Sequence, residues 1–378
     1  MKLLVLLLSF PMIGFGQNVN IPDANFKAYL VGNSGINTNG DTEIQVSEAS
    51  AFNGLIYVYN MNISNLTGIE AFTAITYLSC GNNQLTSLDV SGFTALTNLA
   101  CDFNQLTSLD VSGCTALTTL YCGENQLTSL DVSGCTALNY LNCNHNYNQL
   151  TSLDVSGFTA LTYLDCGYNQ LTSLDVSGCS ALTSLRCQYN QLTSLDVSGC
   201  TALNYLNCVY NQLTSIDVSN NNALTNLLCY YNQLTSLDVS GSLTSLRCQY
   251  NQLTSLDVSG CTALTYLDCG YNQLTSLDLR NGNNYNLAFY ANDNPNLTCI
   301  NVDDATESTY DWTVANYNID SQHYFSNNCS GTGSIQELNT NKKLLKVTDL
   351  LGRETKATNQ VLIHIYDDGT LEKKIVFE

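Results

Sequence analysis

Ten cysteines recur at one position of a 21-residue phrase: Cys80, Cys101, Cys122, Cys143, Cys166, Cys187, Cys208, Cys229, Cys248 and Cys269. Thiols can bridge, hold a metal or attack a substrate. A metal needs ligands that converge on one point, whereas a column set by a repeat spreads equal thiols along a line. A second column, Cys114, Cys135, Cys179, Cys200 and Cys261, is occupied by Phe93 and Phe158 in two other copies of the phrase. Packing as small buried hydrophobes is therefore the expected role of both columns, with these fifteen thiols free. Cys299 and Cys329 lie outside the columns, and in an exported chain a capping disulfide is expected there.

Aspartates form a third column, running from Asp89 to Asp278. Stacked like charges need hydrogen bonds or cations to relieve them. One carboxylate per repeat, with no second carboxylate column, makes a poor oxygen cage, so an Asx-type bond to the following turn is expected. A separate stretch, Asn37, Asn39, Asp41, Glu43 and Glu48, spaces oxygen-bearing side chains over twelve residues and resembles an EF-hand calcium loop. Asn37 replaces the usual first aspartate and Thr42 the turn glycine. Calcium there and a plain solvated turn both stay open. The histidines, His145, His323 and His364, fall respectively in an insertion, a terminal cap and the last segment, and no Ser-His-Asp or Cys-His arrangement can be assembled within one domain. The expectation is a non-enzyme that requires no cofactor.

Comparing copies of the phrase separates framework from variable positions. In the frame xLxCxxN the open positions read Tyr163, Asp165, Gly167 and Tyr168 in one copy, then Ser184, Arg186, Gln188 and Tyr189 in the next. The residue before the asparagine is aromatic in Phe103, Tyr168, Tyr189, Tyr210, Tyr231, Tyr250 and Tyr271, which predicts an outward stripe of rings. Such a stripe can stabilise neighbouring coils by stacking or offer rigid amphipathic area to a protein or glycan. Arg186 and Arg247 fall on the same face and add paired donors suited to a carboxylate; Tyr163 and Tyr266 complete the candidate ligand-binding set. The asparagines, counted as Asn83 to Asn272 with Asn148 after the insertion, are expected to turn inward and satisfy loop backbone groups.

What must position these columns is a stack. The phrase, of the form LTYLDCGYNQLTSLDVSGCTA, recurs about ten times from Ala74 to Leu279, and a unit this short buries an interior only by stacking on its neighbours. Leu164 and Cys166 alternate with Asp165 at the period of a strand; Leu174 and Val176 around Asp175 predict a second short strand before a Ser-Gly turn. Too few residues remain for an ordinary helix. The pattern LxxLxCxxNxLxxL, as in Leu161, Leu164, Cys166, Asn169, Leu171 and Leu174, resembles the cysteine-bearing leucine-rich repeat of bacterial internalin-like surface proteins. That resemblance implies a mostly β solenoid of about ten 21-residue coils with a parallel sheet.

The flanks differ. Lys2, the apolar run Leu3 to Phe10 and the small residues Gly14 and Gly16 predict a secretory signal over 1–16. Residues 17–73 are expected to cap the core, with a short helix starting near Pro22. Residues 280–330 are expected to form a second cap, 331–342 a linker, and 343–378 a separate domain. Its phrases VTDLLGRETK, VLIHIYDDGT and LEKKIVFE resemble the sorting domain of type IX secretion in Bacteroidetes-like bacteria, which implies a small β-sandwich and transit through that machinery. Asp367-Asp368-Gly369 predicts a hairpin turn. No later apolar run is long enough to span a bilayer. A net charge of -20 disfavours nucleic acid as a partner, because a phosphate backbone is repelled. The functional expectation is a secreted or surface recognition protein for a protein or glycan, adhering by several weak contacts, with a ligand-free structural spacer as the alternative.

Overall fold

The computed structural model describes residues 16–146, 149–239, 241–329, 344–349, 361–366 and 371–375. The expected secretory signal, apart from Gly16, the expected linker and the Asp367-Asp368-Gly369 turn lie outside them. The chain divides into two units, Met1–Asn327 and Asn328–Glu378.

The first unit is a parallel solenoid. Twelve three-residue strands pair in one sheet, from Leu55–Tyr57 at one end to Ala288–Tyr290 at the other. The phrase predicts ten; stacking extends one coil beyond it at each end, into stretches where the phrase itself is lost. Register is strict, with each central leucine opposite the next, as in Leu164 against Leu185 and Leu185 against Leu206. A one-residue slip would turn these leucines out. The leucines and both cysteine columns are buried in one continuous core.

On the opposite side of each coil the expected second strand is mostly absent. Isolated bridges join Asp89 to Asp110, Asp110 to Asp131, Asp154 to Asp175 and Asp217 to Asp238, and a ladder forms only near the end, in the four-stranded sheet that includes Ser255–Asp257 and Ser276–Asp278. The aspartates hold the turn that follows, whether or not a ladder forms: Oδ1 of Asp110 accepts the Ser112 N–H at 2.9 Å and that of Asp175 the Ser177 N–H at 2.8 Å, and Asp257, within the ladder, accepts the Ser259 N–H at 2.8 Å. A side chain that takes its neighbour's amide holds the chain in a turn. This is the Asx bond expected of the column.

Each end of the stack needs a cover, because an open parallel edge exposes both unpaired backbone and apolar core. At the start, helix α1 (Ala24–Gly32) is capped by Asp23, whose Oδ1 accepts the N–H groups of Asn25 and Phe26. It buries Phe26 and Leu30, and the Tyr29 hydroxyl accepts the Tyr57 N–H of the edge strand at 3.0 Å. Helix α2 (Val46–Ala51) follows. At the far end, the helix Ala305–Asp311 (α3) leads into Trp312. The indole donates to the Leu287 carbonyl, and the Asn318 amide donates to the Phe289 carbonyl at 2.7 Å. Side chains thereby replace the missing next coil. The second unit contains a three-stranded antiparallel sheet, Leu344–Asp349, Val361–Tyr366 and Leu371–Ile375. This is a single sheet among the described residues, where a sandwich is expected.

Candidate functional site

The strand face is set by the columns beneath it. Asn190 shows the device: its Oδ1 accepts the Leu171 N–H at 2.9 Å, and its Nδ2 donates to the carbonyls of Cys166 and Cys187 at 3.1 Å each. Bonds of this kind tie three stretches of two coils together and satisfy buried groups that no ladder reaches. The column runs on to Asn294 beyond the phrase. In the coil with the insertion, Asn146 holds the position, accepting the Leu127 N–H and donating to Cys143. The assignment to Asn148, which lies outside the described residues, is corrected: the two extra residues follow the asparagine.

The thiols do more than fill space. Cys166 and Cys187 point their Sγ at the Arg186 and Asn207 carbonyls, at 3.6 and 3.5 Å. In the second column Cys135 and Cys179 donate to the Val111 and Val155 carbonyls at 3.3 and 3.2 Å. Asn221 fills the same position and makes the same bond, from Nδ2 to the Val197 carbonyl. All fifteen column thiols are free and buried, and burial pushes them up: Cys208 to about 12, and Cys101 and Cys166 further still. Burial thus favours the neutral thiol over the thiolate that a nucleophile or a metal ligand requires. Cys299 and Cys329 are both disulfide-bonded.

Above this framework stands the ring column. Tyr168, Tyr189, Tyr210, Tyr231, Tyr250 and Tyr271 stack face to face, with centroids 4.2–4.4 Å apart and planes within 16°. His145, placed in an insertion by the sequence, belongs to the column and stacks on Tyr168 at 3.8 Å. Phe103 stands in line but exposed, with no stacked neighbour among the described residues. Every member has left-handed backbone, from φ 50° at His145 to 56° at Tyr168 and Tyr250. That region disfavours side chains other than glycine and asparagine, and asparagine does occupy it at Asn60 and Asn82 in the first coils. Stacking of about 0.5–1.5 kcal/mol per pair is of the size needed to offset a left-handed backbone cost of roughly 1–2 kcal/mol.

Beside the column, on the strands themselves, Tyr163 stacks on Tyr140 at 4.3 Å with planes 2° apart, and Tyr121 follows. Arg186 lies 4.6 Å from the ring centroid of Tyr205, and Arg247 lies 4.5 Å from that of Tyr266. Tyr266 thus serves as an arginine platform. Tyr205, Tyr140 and His145 escaped the sequence reading; counting forward from each cysteine, rather than back from the leucine, finds His145 and Asn146. Asp165 and Asp268 accept the N–H groups of Gly167 and Gly270, and burial raises their carboxyl pKa above the usual range.

In the loop of Asn37, Asn39, Asp41, Glu43 and Glu48, the oxygens are spoken for. Glu48 Oε1 accepts from Thr38 N, Thr38 Oγ1 and Asn39 N, and its Oε2 accepts from Gln45 N. Asp41 accepts from Glu43 N, Asn39 and Gln45, and Asn37 Oδ1 accepts from Gly40 N. Glu43 turns away to Lys27 at 2.6 Å. This donor set does not converge and does not fit calcium as arranged; among the described residues no cluster of His, Cys, Asp or Glu is placed to hold a metal. His323 is buried beside Asp320, whose carboxylate accepts the Asp293 and Asn294 N–H groups and closes the last coil. No described helix is long and apolar enough to cross a membrane.

Residues 115–156 and 241–285 match the family described as Leucine Rich repeats (2 copies). The functional domain of InlJ from Listeria monocytogenes, whose description includes a cysteine ladder, is 28% identical with a TM-score of 0.57, covering 96% of this chain and 99% of that one. A leucine-rich repeat protein of Leptospira interrogans is 19% identical with a TM-score of 0.50, covering 68% of this chain and 75% of that one, and shares the fold. No curated protein matches by sequence. The first unit is a mostly β, parallel-sheet solenoid with leucine-rich repeat neighbours, an architecture that in those proteins typically serves as a non-catalytic scaffold for protein interaction, and the chain is similar along nearly its whole length to a protein with a cysteine ladder.

Proposed function

We propose that the chain is exported and recognises a partner at the cell surface or outside the cell through its variable strand face, without catalysis. The observation that carries this is the tyrosine column. Asparagine suits the left-handed position and fills it in the first coils, so framework needs alone give no reason for six tyrosines there. A row of phenols does give a rigid edge with little side-chain entropy to lose on binding. Stacking also narrows the ligand. A sugar uses an open ring face, and here the inner rings have both faces against neighbours, leaving edges and hydroxyls. Contacts of that kind favour a protein partner over a glycan. Adhesion would be the sum of several weak contacts along the stack. The signal over 1–16 and residues 343–378 would supply export, the latter by the type IX route that its phrases resemble.

The full chain should be applied to an array of surface-protein ectodomains and glycans, beside a variant with Tyr189, Tyr210 and Tyr231 changed to Asn. Retained unfolding midpoint with lost binding to protein spots supports recognition; unchanged binding contradicts it. Lost stability with unchanged binding points to the spacer role.

A further inference from the structure

Two coils of the strand face carry the same sequence, Ser184 to Gln191 and Ser245 to Gln252. Each offers an arginine whose guanidinium makes no ion pair among the described residues, although the chain has a net charge of -20. The neighbouring carboxylates are engaged elsewhere: Asp165 with Gly167 N and the Asn144 amide, Asp268 with Gly270 N. Both guanidiniums rest on tyrosine rings instead. Nearby polar capacity is unused as well. Arg186 Nε, Gln188 Oε1 and Gln249 Oε1 are buried without a hydrogen-bond partner, and Gln188 is only 9% exposed. Such atoms cost free energy until a ligand or a side-chain rotation supplies a partner.

The spacing of these two positions is fixed by the sheet. Arg186 is in register with Asn207, Asn207 with Leu228, and Leu228 with Arg247. Three strand steps of about 4.8 Å place the arginines about 14 Å apart. An extended peptide advances about 3.4 Å per residue with alternate side chains on one face, so side chains four residues apart lie at nearly the same distance and point the same way. Between them, the side chain two residues along meets Asn207 and the half-buried Leu228.

We infer that this face takes an extended acidic segment of a protein partner laid along the solenoid axis, with the order acid, any, apolar, any, acid. The two carboxylates sit on Arg186 and Arg247, whose planar forks, held over the rings of Tyr205 and Tyr266, suit bidentate contact. The glutamines turn to accept backbone N–H groups. This rests on the recognition reading above and adds to it the chemistry of the segment recognised.

The test is fluorescence anisotropy of the full chain with a labelled dodecapeptide centred on Glu-Ser-Leu-Ser-Glu. Three controls go with it: the same peptide with both glutamates changed to Gln, one with the glutamates three residues apart, and labelled oligogalacturonate. The proposal expects binding of the first peptide, weakened by about tenfold or more on Glu-to-Gln exchange and several-fold by the shifted spacing, which puts one acid on the wrong face. Arg186→Gln and Arg247→Gln should each weaken it by about tenfold with the unfolding midpoint unchanged, and Arg186→Lys should recover only part, because a point charge lacks the fork. No binding of the first peptide, equal binding of the Gln peptide, or binding of oligogalacturonate alone overturns the proposal. If the arginine variants leave array binding intact while the tyrosine variant abolishes it, this inference fails and the recognition reading stands.

Discussion

The two long sides of the solenoid are built from the same coil and behave oppositely. On one side, three-residue strands pair continuously from Leu55–Tyr57 to Ala288–Tyr290, and the outward residues change from coil to coil. On the other, the Ser-Leu-Asp-Val-Ser phrase hardly changes, its backbone pairs only here and there, and aspartates such as Asp89, Asp110, Asp131 and Asp154 take the amide two residues on. Regular hydrogen bonding therefore coincides with variable side chains, and local side-chain capping with invariant ones. A sheet whose backbone and buried asparagines hold it together leaves its outer side chains free to vary. A side held by its own side chains is not free.

This contrast can be broken at several points. The largest effect belongs to the asparagines beneath the sheet. Asn190→Ala strands the Leu171 N–H and takes one of two amide donors from each of the Cys166 and Cys187 carbonyls, which keep Asn169 and Asn211, and the loss should be roughly 1–3 kcal/mol in denaturant unfolding, the cost of one stranded buried group. Asp175→Ala, on the exposed side, should move the midpoint far less. Next come the thiols of the second column. Cys200 donates to the Val176 carbonyl at 3.7 Å, and Cys200→Asn should be tolerated to within about 1 kcal/mol because a neutral hydrogen bond is worth that much and Asn221 already does this in the next coil. Cys200→Val, which removes the donor, should be the worse of the two by calorimetry. Smaller still is Tyr189→Asn: relief of left-handed strain and loss of two stacked contacts should nearly cancel, a change in unfolding free energy below about 1 kcal/mol.

The smallest effects are those of pH, and they have opposite signs on the two sides. Asp110, Asp131 and Asp217 have carboxyl pKa values lowered chiefly by the backbone N–H and hydroxyl of the following serine. A depressed folded value contributes stability above the ordinary carboxylate pKa, and that contribution is lost as pH falls through the depressed value. Asp102, Asp165 and Asp268 on the strand face are raised by burial. Their ionised form is disfavoured in the folded state, so their destabilising contribution is complete above the raised value and fades as pH falls through it toward the ordinary value. Stability should therefore hold or rise slightly on mild acidification and then fall below the ordinary carboxylate range, as followed by unfolding midpoints across pH. A monotonic loss from neutrality downward contradicts the opposite signs.

Much of this was readable from spacing alone. Period and residue type give the stack, the inward leucines, free thiols and the Asx bonds, because each follows from one residue's neighbours in the chain. What spacing did not give depends on neighbours in space. The second strand reads well as Leu174, Asp175, Val176, but a strand there needs pairing with the next coil, which is complete only in the four-stranded sheet near the end and reduced to single bridges before it. His145 and Asn146 were misplaced because a two-residue insertion can be put on either side of an asparagine, and only the bond from Leu127 N to Asn146 chooses. The left-handed backbone of the tyrosines carries no signature in tyrosine itself; Asn60 and Asn82 at equivalent positions were the available hint. Tyr205 becomes part of the candidate site only because Arg186 reaches across one coil to it.

The most direct measurement compares matched surface variants of the full chain on the ectodomain and glycan array, with unfolding midpoints taken in parallel. One variant carries Tyr189→Asn, Tyr210→Asn, Tyr231→Asn, Arg186→Gln and Arg247→Gln on the strand face; the other carries Asp110→Asn, Asp131→Asn, Asp175→Asn, Asp196→Asn and Asp217→Asn on the opposite side. Recognition through the variable face predicts that the first loses binding while keeping its midpoint and that the second keeps binding. Binding retained by the first variant, or lost only by the second, contradicts it.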